Sequence, residues 1–277
     1  MNDTFYYASN DAMFKRIFGD ERDVGPLVAF LQAALDLPPE DYAELSLVNP
    51  FLARDNPEDK LGILDVRLKT ASGKNIDIEI QLNSVTEIRE RIIYYLARMV
   101  TDQIGSGDDY QDITRSICIL IADFVLIQEN RSYHNRYRLY DPRTGSQFSD
   151  LFEVNTLELP KLPQDEDGTP LWDWLRFVGA RRKEELDMLA EKNPQVGKAV
   201  AKLVELNADE RARLIADSRE KLRRDTASQL RSAEKEGLEK GRKEIARKLL
   251  DTGMPAENVA QITELSCEII QTLRHRE

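Results

Sequence analysis

The 277-residue sequence has two cysteines, Cys118 and Cys267, and two histidines, His134 and His275. So few thiols and imidazoles exclude a disulfide framework and a four-ligand zinc site, and they point to a reducing, cytoplasmic setting. Long hydrophobic runs are also missing. The most apolar stretch, 116–127, is about a dozen residues with Asp123 inside it, short of the ~20 that span a bilayer. It reads as a core strand, and no membrane partner is expected. The first residues lack the basic region and apolar stretch of a secretory signal, so export is not expected either. Positive charge is in deficit, with a net charge of −11, which taken alone argues against a nucleic-acid partner. Its distribution points the other way: residues 198–248 carry 15 basic and 10 acidic residues, whereas the rest of the chain carries 24 and 40. Charge is segregated along the chain.

What is present is a charge-rich globular composition, 41% hydrophobic and 32% charged, with length for one large or two ordinary domains at ~150 residues each. Asn10 or Ser9 is placed to cap a helix over 11–18, with Asp11 and Lys15 four apart on one face and Gly19 as its stop. A second helix is predicted over about 23–36, ended by Leu37-Pro38-Pro39, and a first strand over 44–48. The stretch from Leu61 to Asn83 is the most informative. In one arm Leu64, Val66 and Leu68 alternate with Asp65 and Arg67; in the other Ile76, Ile78, Ile80 and Leu82 alternate with Asp77, Glu79 and Gln81. That alternation predicts two strands, each with one apolar and one polar face. A loop of Ala71-Ser72-Gly73 centres their pairing on Ser72. Asp65 then faces Glu79, Arg67 faces Asp77 and Ile63 faces Gln81. Two carboxylates on one sheet surface repel, and a divalent cation at about 2.0–2.1 Å from each oxygen reverses the sign of that interaction. Such a metal can polarise a phosphoryl oxygen and acidify a water, so phosphodiester hydrolysis needs neither histidine nor a covalent nucleophile. An ordinary half-exposed sheet, with Arg67 and Asp77 as a surface ion pair, would show the same pattern.

A helix over about 85–104 follows, with Ile88, Ile92, Leu96, Met99 and Val100 as its buried stripe and Arg91, Tyr95 and Arg98 on a neighbouring one. Those three are candidates for contact with phosphate and bases, or form a solvated stripe. Further strands are predicted over 133–140 and near 152–159, where His134 reads as a surface strand residue and Cys118, in the earlier strand, as core. From 171 the pattern is helical, with a long charged helix over 208–250. Its Leu214, Leu222, Leu230 and Leu238 are eight apart and drift from a strict heptad. Two short helices separated near 263–266 end the chain, loosely like a helix-turn-helix.

Together SNDAMFKRIFGD, LGILDVRLKT, KNIDIEIQLN and RIIYYLARMVTDQI with GDDY resemble the Rpn family of recombination-promoting nucleases and transposases, within the PD-(D/E)XK nuclease superfamily. The resemblance is close over about 4–127 and looser to 160, and it takes in the 236–241 run and the tail GMP-x-x-x-V-A-x-x-T. It implies an α/β fold with a restriction-endonuclease-like core, a central mixed β-sheet flanked by helices, plus an all-α C-terminal extension. The expected organisation is a nuclease-like domain over 1–160, a helical connector over 171–207 and a long helix with short tail over 208–277. The resemblance further implies metal-dependent DNA cleavage, associated with recombination or a mobile element. Asp65 and Glu79, with the Ile80 carbonyl, would bind Mg²⁺, or Mn²⁺. Gln81 falls where the superfamily usually has lysine, and no proline precedes Asp65. Glutamine orients a water but supplies no charge, so Lys15, in the match Asp-x-x-Phe-Lys, is a candidate substitute, and Asp11 is a candidate to bind or orient the metal site, or else an exposed helix-start acid that complements the dipole. The competing expectation is a catalytically silent DNA-binding or oligomerisation protein that keeps the fold. The leucine and glycine spacings of the long helix suggest a homo-oligomer.

Overall fold

The structure, a computed structural model, describes residues 4–49, 65–84 and 86–274. The chain divides into two compact units, 1–217 and 218–277.

Helix α1 (Asp11–Phe18) starts where the Asn10 side chain accepts from the backbone N–H groups of Ala12 and Met13, at 3.1 and 3.4 Å. This satisfies donors that the first turn leaves unpaired. Replacing Asn10 by alanine will lower stability by about 1 kcal/mol in chemical denaturation, and no loss would show that the cap is energetically silent. Helix α2 (Gly25–Ala34) is shorter than the sequence suggests, because Leu35 already turns extended ahead of the prolines. Strand β1 is Ser46–Leu47.

Strands β2 (Val66–Lys69) and β3 (Asn75–Gln81) form the expected hairpin, with Val66 opposite Ile78, Arg67 opposite Asp77 and Lys69 opposite Asn75. Gly73 closes the loop at φ +84°, in the left-handed region that glycine enters without a Cβ clash, and its N–H donates to the Thr70 carbonyl at 2.9 Å. Asp41 anchors the loop from below, accepting from Thr70 Oγ1 at 3.0 Å, from Lys74 Nζ at 2.8 Å and from Ser72. Leu61 to Leu64 of the predicted first arm, with the Ile63–Gln81 pairing, lie outside the described residues.

Helix α3 (Ile88–Thr101) leads to β4 (Ser116–Ala122), β5 (His134–Tyr140) and β6 (Gln147–Glu158). The sheet order is β1-β2-β3-β4-β6-β5, with β3, β4 and β6 parallel and the outer pairs antiparallel. The mixed sheet flanked by helices is therefore present. One face carries Ile76, Ile78 and Ile80 beside Ile117, Ile119 and Ile121, in a core shared with α1, α2 and α4 (Pro170–Gly179). Phe18, Phe30 and Trp174 meet there at ring separations of 5.4 to 6.1 Å. The other face carries Cys118 and Leu120 under Ile88, Ile92 and Leu96 of α3.

That second layer corrects one expectation. The polar face of β3 is not half-exposed: every residue from Asn75 to Ile80 is buried. Nor do Arg67 and Asp77 form a surface ion pair, since Asp77 is 0% exposed. Parallel strands with helices on both sides are covered on both faces, and α3 covers the acidic one.

Helices α5 (Lys183–Lys192) and α6 (Pro194–Ala208) contribute Leu186, Leu189, Val196 and Leu203 to the same core as the sheet. Helix α7 (Glu210–Asp251) is continuous over 42 residues, with Leu214, Leu222, Leu230 and Leu238 each 59–61% exposed. In the second unit, α8 (Ala256–Thr263) and α9 (Cys267–Arg274) turn at Glu264, φ +55°, around Ala246, Val259, Leu265 and Ile270. These are the two short helices expected. Residues 256–277 hold two arginines against four glutamates, a balance that opposes phosphate contact. Among the described residues, no helix is long and apolar enough to cross a membrane.

Candidate active site

The hairpin register carries Asp65, just ahead of β2, to the C-terminal end of β3, where Glu79, Ile80 and Gln81 follow one another. Backbone and side chain are interlocked there. The Asp65 N–H donates to Glu79 Oε1 at 3.1 Å, and the Ile80 N–H donates to Asp65 Oδ2 at 2.9 Å. Within a strand the N–H and C=O of one residue point to the same side, so the Ile80 carbonyl lies on the Asp65 side of β3. Lys15 arrives from α1, its Nζ 2.9 Å from Asp65 Oδ1, with the two side chains 33% and 15% exposed. The Asp65 carboxylate is thus held through both oxygens, by a cation and by a backbone amide.

Glu79 sits deeper, at 5% exposure. Burial raises its pKa from the ordinary carboxylate range to about 8; the Asp65 charge adds to the rise, while Arg91 and Lys15 oppose it. Asp77 is raised well above the usual value by burial and by Glu79 and Asp65. The Cys118 thiol donates to Asp77 Oδ2 at 3.5 Å and is itself pushed up by burial and by Asp77, which makes it an inert core thiol.

Helix α3 supplies the roof. Arg91 Nη2 donates to Gln81 Oε1 at 2.7 Å, and Gln81 Nε2 donates to the Asn83 carbonyl at 3.1 Å, so both ends of the Gln81 amide are engaged. Tyr95 is half-buried, its hydroxyl pKa raised by burial and by Glu79. Arg98 pairs with Asp102 at 3.3 Å, one turn on. The stripe Arg91-Tyr95-Arg98 is therefore half-buried, not fully solvated, and its first two members lie close enough to feel Glu79. Asp11 occupies the first turn of α1, half-buried. His134 is half-buried too, bonded through Nε2 to Asn155 Oδ1 at 3.1 Å; burial lowers its pKa. It is less of a surface residue than its strand pattern suggests.

Two partners escaped the sequence pattern. Asp77 alternates with Glu79 and so shares its face, but its contact with Cys118 depends on the parallel β3–β4 register, which no local signal specifies. The Gln81–Arg91 bond spans a loop and a helical turn, and only the docking of α3 brings it about.

The family profile for PD-(D/E)XK nuclease family transposases matches residues 8–233, which hold every residue of this cluster. The chain belongs to that family. No curated protein and no solved structure gives a significant match. PD-(D/E)XK nucleases generally use divalent metal ions, and membership supports a nuclease or transposase with DNA as its substrate.

The donor set of this family member suits such an ion. Two carboxylates and a backbone carbonyl are hard oxygen donors of the kind Mg²⁺ and Mn²⁺ prefer. Crowding around Glu79, which resists ionisation beside Asp65, is what a divalent cation relieves. Among the described residues, no group of three His, Cys, Asp or Glu side chains is placed to hold a metal.

Proposed function

We propose that this chain is a divalent-metal-dependent DNA endonuclease, using Mg²⁺ or Mn²⁺ to hydrolyse phosphodiester bonds in recombination or movement of a mobile element, in the cytoplasm. One observation carries the reading: Asp65, Glu79 and the Ile80 backbone converge at the end of β3 with Lys15 on Asp65. Asp65, Glu79 and the Ile80 carbonyl hold the ion. When bound, it supplies Lewis-acid polarisation of the phosphoryl oxygen and a more acidic water. Lys15 and the Ile80 N–H fix the Asp65 carboxylate in one rotamer, so the site is ordered before substrate arrives. Lys15, one-third exposed, also offsets charge that gathers on the phosphate. Asp11, on the same helix, helps orient this end of the site. Arg91, Tyr95 and Arg98 form the adjoining helix face over which DNA passes.

The test is incubation of supercoiled plasmid with the full chain and Mg²⁺, Mn²⁺ or EDTA. Nicking that appears with metal and disappears with EDTA supports the reading. An inert but folded protein under every metal would favour the silent binding role.

Self-association through α7 belongs to the same reading, because cutting both strands benefits from two sites and the α7 leucines are exposed. Leu222→Glu combined with Leu230→Glu will lower the sedimenting mass of the full chain, and an unchanged mass would remove α7 from the account.

A further inference from the structure

The site is crowded with acids before any DNA arrives. Asp65, Asp77 and Glu79 lie within one hairpin, and a phosphodiester brings another anion to them. Cations nearby therefore decide whether the phosphate can approach. Lys15 is paired with Asp65 at 2.9 Å, so only part of its charge is left for a phosphate. Arg67 lies opposite the fully buried Asp77 in the strand register and acts on that acid.

Arg91 differs from both. Its guanidinium donates to Gln81 Oε1, a neutral amide oxygen, at 2.7 Å, so its direct partner carries no opposite charge even though its field reaches Glu79. Gln81 cannot turn away without losing its second bond, to the Asn83 carbonyl, so it presents one oxygen to the helix in a fixed direction. The buried Nε–H of Arg91 has no acceptor among the described residues. A guanidinium fixed on one edge keeps donors on the other, and its planar fork matches a phosphate.

We propose that Arg91, aimed by Gln81, is the catalytic cation that grips the scissile phosphate, and that Gln81 acts as its positioning residue. Charge that a strand lysine at position 81 would supply comes instead from the helix above it. This assignment rests on the nuclease reading. Arg91 binds the non-bridging oxygens and offsets charge that builds as the phosphorus becomes five-coordinate, whereas Gln81 acts only through Arg91.

Plasmid cleavage, together with calorimetric titration of Mn²⁺ in the absence of DNA, tests it on the full chain. Arg91→Gln will slow cleavage by about 10²–10³-fold. Its Mn²⁺ affinity will be held or increased, because a cation has left the neighbourhood of the carboxylates. Gln81→Ala will cost about tenfold, since the guanidinium remains but is no longer aimed. Moving the charge back in the double variant Arg91→Gln/Gln81→Lys will recover at least about tenfold over Arg91→Gln alone.

Cleavage by Arg91→Gln within a few-fold of the parent would overturn the proposal while leaving the nuclease reading intact. Mn²⁺ affinity that falls in step with cleavage would also overturn it, by showing that Arg91 merely supports the carboxylates. No recovery in the double variant would do the same. A parent protein that binds Mn²⁺ yet never cuts would instead remove the nuclease reading, and this assignment with it.

Discussion

Glu79→Gln will abolish metal-dependent cleavage, by at least about 10²-fold, and at the same time make the metal-free protein more stable at mildly alkaline pH. The two effects have one cause. Glu79 is 5% exposed and lies beside Asp65, so its ionised form costs folding free energy until a cation is present. Glutamine has nearly the same shape and no charge to bury. Loss of activity with a higher melting temperature cannot be explained by unfolding, which separates a ligand role from a structural one. Asp65→Asn will also lose cleavage by about 10²-fold or more, but without the same gain in stability. Asp65 is more exposed than Glu79 and already has Lys15 and the Ile80 N–H as partners. If Glu79→Gln cuts plasmid at the parent rate with the same metal, the assignment of the site is wrong.

Stability of the metal-free protein will fall as pH rises from about 4.5 to about 8, and divalent metal will cancel most of that fall. The Glu79 pKa is raised from 4.5 to about 8, so between those values the native state holds a proton that the unfolded chain releases. Stability then decreases with pH across the window and levels off above it. A shift of that size corresponds to roughly 3–5 kcal/mol for an isolated group. Asp77 is raised as well and adds a change of the same sign, beginning from its own ordinary value of 3.8. Metal binding requires the carboxylates without their protons, so apparent affinity rises with pH over the same range. Melting temperatures measured from acidic to mildly alkaline pH, with EDTA or with Mg²⁺, check both statements. A Glu79→Gln variant whose melting temperature falls with pH as steeply as the parent's would refute the account, and so would a metal-induced gain that does not grow with pH.

Both predictions turn on the same feature: the acids are under a helix. The alternation in 66–69 and 75–81 was enough to place two strands, and Ala71-Ser72-Gly73 was enough to set their register, because a three-residue loop closed by a left-handed glycine leaves little freedom. From that register alone Asp65 had to meet Glu79. Helix α1 was legible at both ends, since Asn10 and Gly19 are local signals. Lys15 could be named as a candidate from the family resemblance, through the match Asp-x-x-Phe-Lys, but its position on Asp65 could not, because nothing local relates a helix at the start of the chain to a hairpin fifty residues later.

Sequence by itself therefore determined the elements, the hairpin register and the identity of the acidic face. Those depend on side-chain periodicity and on turn chemistry, which act between neighbours. Tertiary structure alone decided how that face behaves. Docking of α3 over β3 and β4 turned a surface that read as half-exposed into an interior one, raised the pKa of Glu79 and Asp77, and joined Arg91 to Gln81. The energy of a charge depends on how much water and which counter-charges surround it, and that environment is assembled only when distant segments pack.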